Sequence, residues 1–156
     1  MTSIVDHIDE AFEGPAWHGP TLLSSVRGLT AEQAAWRPAP KRHNIWEIVV
    51  HAAYWKYVVR RRLAAQTGED TGRFAVRGTN WFVRPAAGRT WAADMALLRD
   101  QHARLRETVR RVSPRGLTRI VAHGRDTAAY TIRGIAAHDV YHAGQIQLLK
   151  RLRKAG

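Results

Sequence analysis

Two histidines four residues apart are the sharpest chemical feature of the sequence. They lie in the run Ile135-Ala136-Ala137-His138-Asp139-Val140-Tyr141-His142-Ala143-Gly144-Gln145-Ile146. On a helix this spacing puts two imidazoles one turn apart on the same face, where both can converge on one ion. His142 falls within the apolar stripe of Ile135, Ile146 and Leu149, and His138 falls beside it. Both are therefore expected to point into the interior, where each ring nitrogen needs a partner. A single inward histidine is commonly just hydrogen-bonded, whereas a converging pair is explained equally well by a shared metal.

The chain contains no cysteine. Disulfides, thiolate metal sites and cysteine nucleophiles are thereby excluded, leaving imidazole and carboxylate as the strong ligands. After His142 there is no His, Asp or Glu, so a third protein ligand must come from upstream and from another helix. The same absence argues against a zincin peptidase: the downstream ligand is missing, and Asp139 is one methylene shorter than the glutamate of His-Glu-x-x-His. His51 sits on a strongly helical segment beside Ile48 and Trp55. His7, His18, His43, His102 and His123 compete with it. His7 borders an apolar face. His43 precedes a helix, His18 and His123 lie in turn-like segments, and His102, among Asp100, Arg104 and Arg106, is expected in a solvated or partly covered position. Spacing alone leaves the third place open.

Asp139, Tyr141 and Gln145 are candidates for fixing the tautomer of a ligating histidine or for handling a proton. A surface acid and a packed aromatic are equally good readings of Asp139 and Tyr141. Trp17 and Trp81, from irregular segments, are the candidate pocket residues, while Trp46 and Trp55, at helical spacing, are expected in the core.

The elements that must position these groups follow from apolar periodicity. A first helix is expected over Ser3 to Glu13, stopped by Gly14-Pro15, followed by a broken helical stretch through Leu22, Leu23 and Val26. Thr30-Ala31-Glu32-Gln33 fits a capping box, and Asn44 is a suitable cap for a long helix to about Gln66. From Thr67 to Thr90, scattered glycines with Phe74, Trp81 and Phe82 predict a long irregular connection. A third long helix is expected from Trp91 to Val112, ended by Ser113-Pro114, and a final one from about Thr131 to Arg153. Between them, Ile120 to Ala122 and Ala128 to Tyr130 flank a turn at His123-Gly124-Arg125-Asp126 that reads as a small hairpin. The expected class is all-α, four principal helices in a bundle, with no internal repeat.

At 156 residues one domain spanning 1–156 is expected. With 45% hydrophobic and 24% charged residues the composition is that of an ordinary globular protein, and no apolar run is long enough to span a bilayer. Asp6, Asp9 and Glu10 stand where a secretory signal would be basic and then apolar, so the cytoplasm is the expected compartment. The net charge of +12 is the one argument for a nucleic-acid partner. The cations are dispersed over Arg60 to Arg62, Arg104 to Arg111 and Lys150 to Lys154 rather than gathered in one tract, so solvated helix faces are the favoured reading.

The ending His138 to Ile146, taken with Trp36-Arg37-Pro38 and with Ile45-Trp46-Glu47-Ile48-Val49-Val50-His51, resembles the DinB-like superfamily over almost the whole chain. The resemblance implies a four-helix bundle of up-down-down-up topology with a long second connection, and a homodimer. It also implies a divalent metal, zinc in preference and nickel as the alternative, held by one histidine of the second helix and two of the last: by motif, His51, His138 and His142. Three imidazoles leave one position open on a tetrahedral ion, the arrangement of a catalytic site. Characterised branches of the superfamily transfer low-molecular-weight thiols such as bacillithiol or mycothiol to small-molecule substrates, and a thiol transferase is the implied activity. Hydrolysis by metal-bound water and a non-enzymatic, metal-stabilised stress-response or nucleic-acid-associated module are the alternatives.

Overall fold

Four of the helices begin with the same device. Ser3, Thr21, Thr30 and Asn44 each accept a hydrogen bond from the amide three residues on, and the side chain at that third position accepts one from the cap amide. Two otherwise orphaned donors are satisfied at each start. In the computed structural model, which describes residues 3–155, these caps open α1 (Ile4–Phe12), α2 (Leu22–Ser25), α3 (Ala31–Ala35) and α4 (Ile45–Thr67). Gly68 closes α4 in the left-handed conformation, φ 67°, which a residue without a Cβ adopts at little cost. The irregular segment 68–90 leads to α5 (Trp91–Arg110), then α6 (Pro114–Leu117) and α7 (Ala128–Ala155).

The described residues are all-α, with no strand. The hairpin expected around residues 123–126 is reduced to a single antiparallel bridge between Ile120 and Thr127. Ser113-Pro114 does terminate α5, but Ser113 also caps α6, with Pro114 in its first turn. The last helix begins three residues before the expected Thr131, because Thr127 behaves as a cap: its hydroxyl accepts from the Tyr130 amide and its carbonyl from that of Thr131.

The four longest helices close a ring, with α1 against α5 and α7, and α4 against α5 and α7. Their apolar faces do not form one continuous core. One cluster joins Phe12, Trp46, Val49, Ala52 and Ala53 to Met95, Leu98, Ile146 and Leu149. The other joins Ile8, Ala11, Val59 and Leu63 to Leu105, Val109, Ile132, Ile135 and Ala136. Between them, buried polar residues occur on three of the helices: Lys56 and Arg60 on α4, Gln101 and His102 on α5, Asp139 and His142 on α7. His102, expected in a solvated or partly covered position, is 3% exposed. It stacks on Phe12 and pairs with Asp9. Of the charged neighbours that suggested solvent, Arg106 also pairs with Asp9, whereas Asp100 and Arg104 pair with each other at the surface.

The irregular segment is tied down by buried charge. Asp94, at the start of α5, accepts from Arg84, Arg89 and the Trp46 indole. Glu47, at the start of α4, accepts from Arg37, His43 and the Arg84 amide. Although burial pushes the Glu47 carboxyl up, those donors hold it below the ordinary glutamate range. Loop and helix starts are thus locked together, which fixes where the aromatics of the loop can reach.

Candidate metal centre

His51 lies in the second turn of α4, with Asn44 as its cap, and it is 6% exposed. Its Nδ1 is 2.8 Å from the carbonyl oxygen of Asn80. A carbonyl can only accept, so Nδ1 carries the proton and Nε2 presents a lone pair. Asn80 adopts φ 62°, a left-handed conformation that asparagine tolerates better than most residues, and its side chain accepts from the Trp55 indole. Trp81 follows and stacks flat on His51 at 3.8 Å between ring centroids, with His43 stacked on Trp81 at 3.6 Å. The loop therefore orients the imidazole by one hydrogen bond and one ring face.

The other two rings come from one face of α7. His142 is 2% exposed, and its Nδ1 donates to Gln145 Oε1 at 2.7 Å. The Gln145 amide in turn donates to the Tyr141 hydroxyl at 3.0 Å. Here too Nε2 is left bare. His138 Nε2 lies 3.2 Å from that of His51 and 3.0 Å from that of His142. A tetrahedral ion with nitrogen ligands at about 2.0–2.1 Å places its donors about 3.3 Å apart, so His138 Nε2 stands at ligand spacing from each of the other two, and all three lie within 4.8 Å of one another. His138 can donate one proton at most, and two bare lone pairs converge on it. A cation shared among the three resolves that frustration.

Electrostatics agree. Burial holds the His138 pKa down to about 3, with His142 and His51 contributing next. Burial likewise holds His142 down to about 4 against the opposing Gln145 bond. His51 is lowered, again mainly by burial. All three rings are thus held in the neutral form that binds a metal. His138 also lines a cavity of ≈ 170 Å³ together with Trp55, Arg62, Tyr130 and Ile135.

Of the other residues singled out in the sequence, Tyr141 and Gln145 form the chain behind His142. Asp139 does not touch either histidine of α7; its carboxylate pairs with Lys56 inside the bundle. Trp81 is at the site. Trp17 is 98% exposed and lines a different cavity with His7, Glu10 and Val140. Trp46 is in the core, whereas Trp55 is only part-buried and stands beside His51 and His138. His7, His18 and His123 are exposed and apart from the cluster. Asn80 was missed; its only signal is an asparagine before an aromatic in a glycine-rich connection.

A family model described as the DinB superfamily matches residues 17–146, a span that contains all three histidines. Neither the curated proteins nor the solved structures give a match.

Proposed function

The chain belongs to the DinB superfamily, and we propose that it is a metal-dependent enzyme. Its centre would be one divalent ion, zinc in preference to nickel, held by Nε2 of His51, His138 and His142. The observation that carries this reading is the convergence of three neutral imidazoles, two of them with Nε2 left bare by a partner on Nδ1. In the same reading α1, α4, α5 and α7 form an up-down-down-up four-helix bundle folded as one domain, and residues 68–90 are its long connection.

The reaction proposed is transfer of a low-molecular-weight thiol to an electrophilic small molecule. When bound, the ion supplies a Lewis acid whose open position lowers the pKa of the incoming thiol. The chain's own residues do the rest. Asn80 and Gln145 hold His51 and His142 in one tautomer, and Trp81 keeps the His51 ring from turning. Trp55 and Ile135 give the cavity beside His138 an apolar wall, and Arg62 supplies a cation for an acidic group of substrate or thiol. Asp139, the acid next to His138, is committed to Lys56 and so is unavailable as a general base. That observation removes the nearest acid from a base-assisted hydrolysis, while water activated by the ion alone stays the alternative to thiol transfer.

The test is elemental analysis of protein purified without chelator or nickel resin, followed by assay of an electrophile with and without added thiol. One equivalent of zinc or nickel and turnover only with thiol are expected. Stoichiometric metal with thiol-independent hydrolysis would replace transfer by hydrolysis, and absence of metal under these conditions would end both.

A further inference from the structure

Lys56 and Asp139 are each 1% exposed and pair directly, Nζ to Oδ2, across the packing of α4 against α7. A lysine is almost never fully buried without a reason. The pair is not richly satisfied: Asp139 Oδ1 has no hydrogen-bond partner, and the ammonium also lies over the Phe12 ring, 4.8 Å from its centroid. A pair with so few supporting bonds adds little stability over an apolar replacement of similar volume. Its geometry, by contrast, is exacting, because it sits in the polar layer between the two apolar clusters, at the level of the three histidines.

The buried side chains of α4 and α7 bordering this layer include the small Ala52, Ala53, Ala136 and Ala143 beside the larger Val59, Ile135 and Ile146. Small side chains interlock less deeply than large ones, which leaves part of the register to be set by the polar pair. A slip of one residue moves one helix by about 1.5 Å along the other. That would separate the buried ammonium and carboxylate, and it would also pull His51 out of range of His138 and His142. One relative placement of the two helices satisfies both.

Resting on the metal reading above, we propose that Lys56 and Asp139 are positioning residues that set the register of α4 on α7 and thereby hold His51 at ligand distance from His138 and His142. The pair touches no reacting atom. It acts through the spacing of the imidazoles, so its removal should be read in the geometry of a bound ion rather than in folding.

Cobalt(II) titration of metal-free protein provides that readout, since the intensity of its visible bands reports tetrahedral coordination. The double variant Lys56→Met/Asp139→Leu removes both charges at similar volume. Its urea midpoint should equal or exceed that of the parent, while cobalt binding weakens by about tenfold or more, as for other residues that orient metal ligands, and the bands lose intensity. Asp139→Glu, which keeps both charges but lengthens one arm, should fold, bind cobalt more weakly and show altered bands; it decides the matter if the double variant does not fold. Parental affinity and spectrum in a folded variant would overturn the registration role while leaving the metal centre intact. Failure of the parent to give any cobalt signal that depends on His142 would instead remove the metal centre, and this inference with it.

Discussion

The centre depends on individual ring nitrogens whose partners are identifiable one by one. Replacing His142 by Ala removes one of three donors and frees Gln145 from its role, but it deletes little of either apolar cluster. Stoichiometric zinc or nickel should be lost while the helical circular dichroism is retained, because packing rather than the ion supplies the core. Loss of helix along with metal would make the ion structural. His102 permits a separate test away from the centre. Burial first, then the neighbouring Lys56 charge, holds its pKa at about 3 against the pull of Asp9, far below the ordinary 6.5. It therefore stays neutral when folded while the unfolded chain takes up a proton below pH 6.5, so the unfolded state binds more protons and stability falls as pH drops towards 3. Urea titrations of His102→Gln should show a shallower fall between these limits than the parent; an identical slope would remove His102 as its source. That histidine was misread in sequence because Asp9, which binds both it and Arg106, lies on another helix.

Helix starts are where local chemistry and long-range contact meet. Asn44 is fully buried; it caps α4, and its amide also donates to the carbonyls of Ala35 and Arg84. Asn44→Ala should therefore cost more than an ordinary cap, about 2 kcal/mol or more, since buried carbonyls lose their donor along with the helix start. Equilibrium urea unfolding measures it, and a loss well under 1 kcal/mol would mean that water replaces the amide. The cap itself was legible, because asparagine before an apolar-periodic run is a start signal. Its second task was not, since Arg84 belongs to an irregular segment whose path no periodicity describes. The same limit explains the hairpin: two short apolar runs flanking the turn at 123–126 suggested strands, yet with no neighbouring sheet to extend, the segment keeps one bridge and its second arm joins α7.

Across the molecule, several cations are internal but the net charge is not. Lys56, Arg60 and Arg84 are buried in ion pairs with Asp139, Glu69 and Asp94; each pair is neutral, so the net charge of +12 is carried by the remaining side chains. No helix among the described residues is long and apolar enough to cross a membrane. The outer face of α7 is different in character: Tyr130, Tyr141, Leu148 and Leu152 are all exposed, and their separations of eleven, seven and four keep them near one side of the helix. This is the face on which we propose that a second copy packs, giving the homodimer that the family resemblance implies. Leu148→Glu should shift sedimentation equilibrium from dimer to monomer without loss of helix; a parent already monomeric at tens of micromolar would refute the dimer.

What could be learned from residue order alone was whatever repeats over one or two turns: the long helices, the Thr30 and Asn44 caps, the lack of any cysteine ligand or nucleophile in the chain, and the two histidines of α7 that share a face. Spacing left six candidates for the third nitrogen, and the choice of His51 rested on family likeness. Only the packed chain shows how that position comes to face His138 and His142, because the answer is nonlocal. Asn80 and Trp81 return from the irregular segment to orient the ring, and a polar layer between two apolar clusters brings α4 and α7 to one register. Periodicity encodes the face on which a side chain lies, whereas the distance between faces on different helices is set by packing.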